Sequence, residues 1–270
     1  FIVWAEMAAR LEEKPDERIT DEGLSLRGMS PSRVRRWFLK NHGISFQAYQ
    51  RILRINRAFQ HIKEGGRVID AAFDAGYESV SGFGYSFRKA TAMSPKESRS
   101  SDSLISARIL TPLGPMIAVA SAEGICLLEF ADRLQLPSEL DYLRMSFGSE
   151  ILPGNNAHIA RLRTELGEYF AGARKAFDLP LVTPGTEFQK RVWGLLLDIP
   201  YGTTATYHEQ AARTGNPQAV RAAARANGSN RIAILIPCHR VIGSDGGLRG
   251  YSGGLARKRW LIEHEKKNAG

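Results

Sequence analysis

The chain is poor in cysteine and has no long apolar run. Its 270 residues include two cysteines, Cys126 and Cys238. Two thiols without an evident partner fit a reducing cytosol. The lack of a run of about 20 apolar residues excludes a helical membrane span, and Phe1 to Glu6 show no signal-peptide pattern. We therefore expect a cytoplasmic protein that does not bind membranes.

Net charge is unevenly distributed along the chain, and acidic residues are scarce in its last third. Residues 1–100 hold 17 Lys and Arg against 12 Asp and Glu, a net charge of +5. Residues 190–270 hold 13 against 5, a net +8, whereas residues 101–189 hold 7 against 11, a net −4. Two basic blocks therefore flank an acidic one. Such blocks favour nucleic acid as a partner, although a solvated Lys and Arg surface is also common in soluble proteins.

One cysteine stands directly beside a histidine, in Ile236-Pro237-Cys238-His239-Arg240. A nucleophilic cysteine reacts as the thiolate, and a neighbouring base makes the thiolate accessible near neutral pH. Pro237 fixes its own φ and biases Ile236 toward extended geometry, which predicts a defined turn after a buried segment. A lone cysteine is more often a small buried hydrophobe, so this pair alone leaves both interpretations open.

A helix-turn-helix pattern lies upstream, in residues 207–227. One helix is followed by a turn at Thr214-Gly215-Asn216-Pro217 and by a second helix rich in Ala and Arg. The small residues Ala222, Ala223 and Ala224 would permit close approach to the floor of a DNA groove. They would equally permit tight packing within the protein.

Residues 184–265 closely resemble the O6-alkylguanine-DNA alkyltransferases, repair proteins that take an alkyl group from guanine onto their own cysteine. Three segments carry the resemblance at the family's spacing: Ile199-Pro200-Tyr201-Gly202, Pro237-Cys238-His239-Arg240 and Tyr251-Ser252-Gly253-Gly254. The resemblance implies irreversible, single-turnover transfer from O6-alkylguanine, and also O4-alkylthymine, in double-stranded DNA. It implies no cofactor and no metal.

The resemblance also implies catalytic roles. Cys238 is the nucleophile, and His239 deprotonates it through a bridging water. Glu265, rather than Glu263, holds and polarises that histidine, and Asn230 braces the turn that carries the thiol. Without the resemblance, Glu265 would be assigned to a solvated helix face beside two lysines.

Further roles implied by the resemblance concern the DNA. Tyr207 contacts the phosphate of the target nucleotide and helps to protonate the leaving guanine, and Arg221 fills the gap left by the target base. Tyr251 and Ser252 line the base pocket. An O6-alkyl group inside a stacked duplex cannot meet a sulfur in line, so the nucleotide must rotate out. The same helix is expected to contact DNA through Ala222, Ala223 and Arg225.

Residues 19–99 contain two further helix-turn-helix patterns joined by a helix from Phe46 to Lys63. The first turns at Gly28-Met29, and residues 30–63 then carry eight Lys or Arg and no acid. The second turns at Gly76-Tyr77 and ends at Met93-Ser94-Pro95. Each alone fits an ordinary helical hairpin, but the pair resembles the AraC-type transcription regulators. The expected DNA contacts of the first motif are Arg33, Arg35 and Arg36.

The second motif departs from the pattern of those regulators. Its recognition helix contains Gly82 and Gly84, each of which costs up to about 1 kcal/mol relative to Ala. Tyr85 stands where the regulators usually carry Arg. We therefore expect the second motif to hold phosphate less well than the first.

These features predict a multidomain α plus α/β protein. An all-α double helix-turn-helix module (1–97) and a linker (98–103) precede a small α/β, RNase H-like subdomain (104–182) and a mainly helical, winged-helix-like alkyltransferase core (183–270). Strand-like runs extend from Leu104 to Phe130, with turns at Pro112-Leu113-Gly114 and Glu123-Gly124, and an amphipathic helix is expected over Ile159–Phe170. Cys126 is expected to be buried and inert in an apolar strand.

An AraC-type module joined to an alkyltransferase resembles the Ada adaptive-response proteins. Those proteins usually carry a four-cysteine zinc sensor ahead of the regulator, and this sequence has no cysteine before Cys126. We favour a monomeric alkyltransferase fused to a DNA-binding module, with promoter DNA as an open second partner. One alternative is a transcription regulator whose alkyltransferase half only binds lesions. Another, a thiol hydrolase with a Cys-His dyad, would not explain the DNA-binding segments.

Overall fold

The computed structural model describes residues 7, 11, 17–42, 45–91, 94–99 and 103–270. The predictions for Phe1 to Glu6, for Met93 and for residues 100–102 of the linker lie outside these ranges. The chain divides into two compact units, residues 1–105 with 150–155 and residues 106–149 with 156–270. Among the described residues, no helix has the length and apolarity needed to cross a membrane.

Apart from the strand residues 104–105 and 151–153, the regular structure of the first unit is helical. It contains α1 (Asp21–Leu26), α2 (Pro31–His42), α3 (Phe46–Lys63), α4 (Val68–Asp74), α5 (Val80–Thr91) and a 3-10 helix (Glu97–Arg99). Gly28 follows α1 with φ 70°, and Gly76 follows α4 with φ 74°. Both adopt the left-handed conformation that glycine tolerates at the end of a helix. The two predicted helix-turn-helix motifs and the helix between them are therefore confirmed.

Aromatic side chains fill the interior of this unit. The rings of Phe38 and Phe46 lie 4.9 Å apart between centroids. Phe87 lies 6.0 Å from Phe59 and 5.3 Å from Phe83. Because α3 supplies both Phe46 and Phe59, it anchors the first motif near its start and the second near its end.

A small sheet and two helices make up the α/β part of the chain. The elements are β1 (Leu104–Thr111), β2 (Gly114–Ala120), β3 (Ile125–Phe130), α6 (Leu136–Phe147), β4 (Ile151–Pro153) and α7 (Ala157–Phe170). The strand order is β3-β2-β1-β4, and β2 pairs antiparallel with β3. Every residue of β3 is buried, Cys126 among them. The predicted strands, turns and amphipathic helix are confirmed.

The last part of the chain is mainly helical. It contains α8 (Glu187–Leu197), β5 (Ala205–Thr206), α9 (Tyr207–Arg213), α10 (Val220–Gly228), a 3-10 turn (Cys238–Arg240), β6 (Val241–Ile242) and α11 (Leu255–Lys267). The short strands β5 and β6 pair in parallel. Because β5 leads directly into α9 and β6 follows the 3-10 turn, this pairing brings Tyr207 toward Cys238.

Buried polar contacts hold α9 and α10 in place. The side-chain amides of Gln210 and Asn227 bond to each other in both directions, at 3.0 and 2.7 Å. The indole of Trp193, on α8, donates to the carbonyl of Ala226 at 2.8 Å. The predicted helix-turn-helix of residues 207–227 is thus confirmed, and its second helix is fixed by one face.

Candidate functional site

Cys238 follows a bend that is attached to the sheet. The Leu128 N–H donates to the Arg231 carbonyl at 2.9 Å, and the Ala233 N–H donates to the Leu128 carbonyl at 2.8 Å. Ile234 has φ 71°, a left-handed conformation that a β-branched residue rarely adopts. The buried segment before the thiol is therefore a constrained bend rather than a regular strand.

Asn230 links this bend to the thiol. Its Oδ1 accepts a hydrogen bond from the Ile232 N–H at 3.0 Å. Its Nδ2 donates to the Ile236 carbonyl at 2.9 Å and lies 3.3 Å from the Cys238 sulfur. The structure thus brings the predicted bracing residue into contact with both the backbone of the turn and the sulfur.

Cys238 is 5% exposed. Burial raises the pKa of Cys238 to about 11, although the hydrogen bond from Asn230 favours the thiolate. The thiol of the free protein is therefore protonated near neutral pH. A nucleophilic attack by this sulfur requires a base that removes its proton.

His239 and Glu265 form a buried pair beside the thiol. His239 Nε2 lies 2.8 Å from a carboxylate oxygen of Glu265. Burial lowers the pKa of His239, so the ring is neutral near pH 7. Its other nitrogen, Nδ1, is buried without a hydrogen-bond partner among the described residues. When Nε2–H donates to the carboxylate, Nδ1 carries the lone pair and is the atom that can accept a proton.

The Glu265 carboxylate accepts hydrogen bonds from four residues, and the residue is 1% exposed. Besides His239, Arg240 donates from Nε at 2.8 Å and from Nη2 at 3.0 Å. Tyr169 donates its hydroxyl at 2.8 Å, and Gly202 its N–H at 3.2 Å. Burial acts to raise the pKa of Glu265, but the hydrogen bonds and charges of His239 and Arg240 together lower it to about 2. The alternative of a solvated helix face is excluded.

Arg240 and Lys258 belong to the same site, although neither was among the residues predicted from the sequence. The buried Lys258 ammonium donates to the carbonyls of Val241 at 2.5 Å and Arg249 at 2.6 Å. Burial lowers the pKa of Lys258 to about 8. For Lys258, the residue spacing in α11 was a signal that could have indicated burial. Residues 258, 261, 262 and 265 fall on one face of this helix, and all four are buried.

Two of the three residues that were predicted to contact the target nucleotide lie close to Cys238 and His239. Tyr207 is half-buried, and its hydroxyl donates to the Gly250 carbonyl at 3.2 Å. Tyr251 is buried, with its ring centroid 6.4 Å from that of His239 in an edge-to-face arrangement. Ser252 is partly exposed. The structure therefore brings Tyr207 and Tyr251 together with the thiol and its base.

One predicted DNA contact is wrong. Arg221, Ala222 and Arg225 are exposed on α10, as a DNA-binding role requires. Ala223 is 0% exposed, because residues 223, 226 and 227 share the face that packs inside the protein. Its methyl group belongs to the core, which is the packing alternative that the sequence left open.

The first helix-turn-helix motif of the helical unit exposes its basic residues. Arg33, Arg35 and Arg36 all lie on the outer face of α2. Arg35 is also 2.5 Å from the carboxylate of Asp21 on α1, which partly neutralises its charge. In the second motif, Tyr85 is 74% exposed on α5.

The groups gathered around Cys238 have a defined chemical capacity. A thiol, a neutral imidazole with a free Nδ1 and an anionic carboxylate supply a nucleophile and a proton acceptor in one buried place. Nothing in this set would cleave a thioether once it had formed. Across the described residues, no three His, Cys, Asp or Glu side chains form a group that could hold a metal ion.

Three family models match this chain. The 6-O-methylguanine DNA methyltransferase, DNA binding domain, matches residues 187–267, and the ribonuclease-like domain of the same methyltransferases matches residues 105–183. A helix-turn-helix domain matches residues 26–101. The chain is also 41% identical, over 163 residues, to a methylated-DNA–protein-cysteine methyltransferase of Methanosarcina barkeri. That similarity covers 59% of this chain and 96% of the relative.

Two solved structures resemble the C-terminal part of the fold. The crystal structure of the Mycobacterium tuberculosis O6-methylguanine methyltransferase has a TM-score of 0.54 and 40% identity, and it covers 62% of this chain and 95% of that protein. The crystal structure of Mycobacterium tuberculosis OGT in complex with DNA has a TM-score of 0.52 and 38% identity, with coverage of 61% and 93%. The predicted fold class and the resemblance drawn from the sequence are confirmed.

Proposed function

The chain belongs to the 6-O-methylguanine DNA methyltransferase family, and we propose that it repairs DNA by moving the alkyl group of O6-alkylguanine irreversibly onto Cys238. O4-alkylthymine is proposed as a second substrate. The observation that carries this function is the buried set in which Asn230 contacts the sulfur and His239, held by Glu265, keeps Nδ1 free. These groups supply the nucleophile and the base that the transfer requires.

The reaction follows from the protonation states of these groups. His239 Nδ1 takes the thiol proton through a water molecule, and the sulfur attacks the alkyl carbon as that proton leaves. The S–C bond forms while the bond between that carbon and guanine O6 breaks, and the leaving guanine is protonated with help from Tyr207. In sum, an alkyl group moves to sulfur and the thiol proton moves to guanine. Because the thioether has no route back, each molecule acts once.

Access to the lesion requires an extruded nucleotide. The site is buried, and a base within the stack cannot reach the Cys238 sulfur. We propose that α10 lies in the DNA groove with Arg221 inserted in the duplex, and that Ala222 and Arg225 contact the DNA beside it. The flipped base would stack on Tyr251, with Ser252 near O6. The exposure of Arg221, Ala222 and Arg225 supports this arrangement.

The helical module at the start of the chain is proposed to bind DNA as well. Its first motif exposes Arg33, Arg35 and Arg36, which fit phosphate contacts. We propose that this module, spanning residues 1–97, raises the local concentration of DNA around a monomeric repair protein. Promoter binding is the competing role. Reporter transcription that rises after methylating treatment and needs residues 1–100 would refute a role limited to DNA binding.

The experiment is a mass measurement. The full chain is mixed with duplex DNA that contains one O6-methylguanine, and intact mass and peptide mapping follow. One added methyl group on Cys238, never more than one per protein, is expected. The matched variants are Cys238→Ser, which should take no methyl, and Cys126→Ser, which should react like the wild type. Tight binding without transfer would instead favour a regulator that only binds lesions.

A further inference from the structure

Three charged residues are buried where the α/β subdomain approaches the thiol's supporting turn. Glu129 is 0% exposed, Arg133 8% and Glu139 7%. The Arg133 guanidinium forms ion pairs with Glu129 and, at 3.0 Å, with Glu139. Burial raises the pKa of Glu129 to about 7, even though the charge of Arg133 opposes this shift. A cluster of this kind carries a large desolvation cost, and apolar residues of similar size would be at least as stabilising.

The same guanidinium bonds to the backbone of the turn before Cys238. Arg133 Nη2 donates to the Gly228 carbonyl at 3.1 Å, and Nη1 lies 3.5 Å from the Asn230 carbonyl. Gly228 is the last residue of α10, where carbonyls lack partners within the helix and a cation is favourable. Arg133 therefore connects the end of α10 to the residue whose amide contacts the Cys238 sulfur.

Strand β3 holds the other side of the same turn. Leu128, next to Glu129, exchanges backbone hydrogen bonds with Arg231 and Ala233 at 2.9 and 2.8 Å. Glu129 is in turn fixed by the Phe130 N–H, which donates to its carboxylate at 2.9 Å. The α/β subdomain thus contacts the turn on both sides of Asn230. The backbone of Leu128 bonds to residues that follow Asn230, and the side chain of Arg133 bonds to Gly228, which precedes it.

We infer that Arg133 is a positioning residue for the transfer reaction: by holding the carbonyls of Gly228 and Asn230, it keeps the Asn230 amide on the Cys238 sulfur. This inference rests on the proposed function, because it concerns the reactivity of the same thiol. The amide N–H stabilises negative charge on sulfur. When Arg133 is lost, the Asn230 amide is displaced and the thiolate becomes less favourable. Proton transfer from the thiol to His239 is then less favourable as well, so alkyl transfer is slower.

The test is the rate of benzyl transfer from free O6-benzylguanine, which removes DNA binding from the comparison. Arg133→Met in the full chain is expected to lower the rate about tenfold, the effect of one pKa unit on the thiolate fraction. The final yield should still be one benzyl group per protein, and the acid side of the pH profile, set by His239, should not move. Asn230→Ala should show a similar loss. The double variant should be no slower than Asn230→Ala, because both changes remove the same contact.

Matched variants separate positioning from stability. Arg144→Met removes an arginine from α6 that pairs with Asp141 at 2.5 Å and is 41% exposed, and it should leave the rate unchanged. Arg133→Lys, which keeps a charge and donors, should restore part of the rate. If Arg133→Met does not fold, Glu139→Gln replaces it, since it removes one of the two pairs that orient the guanidinium. A slower transfer in the same direction is then expected.

Two results would overturn the inference while leaving the proposed function intact. One is a benzyl-transfer rate in Arg133→Met or Glu139→Gln that equals the wild-type rate. A reduced yield with an unchanged rate in the reacting fraction has the same meaning, because it would show that Arg133 only stabilises the fold. The other is full additivity of the Arg133→Met and Asn230→Ala effects. A wild-type protein that accepts no benzyl group and no methyl group from DNA would overturn the proposed function, and this inference with it.

Discussion

Replacing Glu265 with glutamine is expected to lower the free energy of unfolding by about 3 kcal/mol at neutral pH. The pKa of this carboxyl falls from 4.5 to about 2 on folding, and each pKa unit corresponds to about 1.4 kcal/mol. The group is 1% exposed, so solvent screens its interactions little. Glutamine keeps the shape, but it removes the negative charge that faces Arg240 and leaves that guanidinium buried without a counter-ion.

The sign of the pH dependence provides a second check. Because the folded-state pKa is lowered, the unfolded chain binds the proton at a higher pH than the folded one. The stabilisation by Glu265 is therefore complete above about pH 4.5 and is lost as the pH falls toward 2. In Glu265→Gln this part of the acid sensitivity should disappear. The wild type and the variant should converge in stability as the solution becomes acidic.

Urea unfolding at a series of pH values between neutral and strongly acidic measures both effects. The matched control is Glu263→Gln, an exposed residue on the same helix whose replacement should change stability by less than about 0.5 kcal/mol. A loss below about 1 kcal/mol for Glu265→Gln at pH 7 would refute the argument from the buried charge network. So would a difference from the wild type that stays constant down to low pH.

Three further predictions concern reactivity and DNA. Because the pKa of His239 is lowered and that of Cys238 is raised to about 11, benzyl transfer should be independent of pH around neutrality and fall in acid. In His239→Ala the rate should instead rise about tenfold per pH unit. A wild type with the same pH dependence as this variant would contradict the role of His239 as the base. Arg221→Ala should slow repair of duplex lesions more than reaction with free O6-benzylguanine, and equal losses would contradict the flipping role. Arg33→Ala and Arg36→Ala should each reduce the dependence of log affinity on log salt by about 0.9 if each residue contacts a phosphate. An unchanged dependence of log affinity on log salt would show that these arginines do not contact the DNA phosphates.

Local sequence patterns predicted the helix-turn-helix motifs, the first three strands and the candidate nucleophile, but not α6, β4 or α8. Gly28 and Gly76 marked helix ends because a left-handed residue is readily accepted only as glycine. The spacing of Phe83 and Phe87 placed both on the inner face of one helix. Cys238 stood beside His239 in the chain itself, so the candidate nucleophile was visible before any fold was known.

Patterns among neighbouring residues thus predicted the helix-turn-helix motifs, the family resemblance and the candidate nucleophilic thiol. The tertiary structure was needed to identify most contacts between distant side chains, although the family resemblance had implied those of Glu265 with His239 and of Asn230 with the turn of the thiol. It turned Ala223 into the core, buried Glu265 against Arg240, and brought Arg133 to Asn230 across 97 positions. Burial and charge pairing arise from packing between distant segments, and no local pattern encodes them.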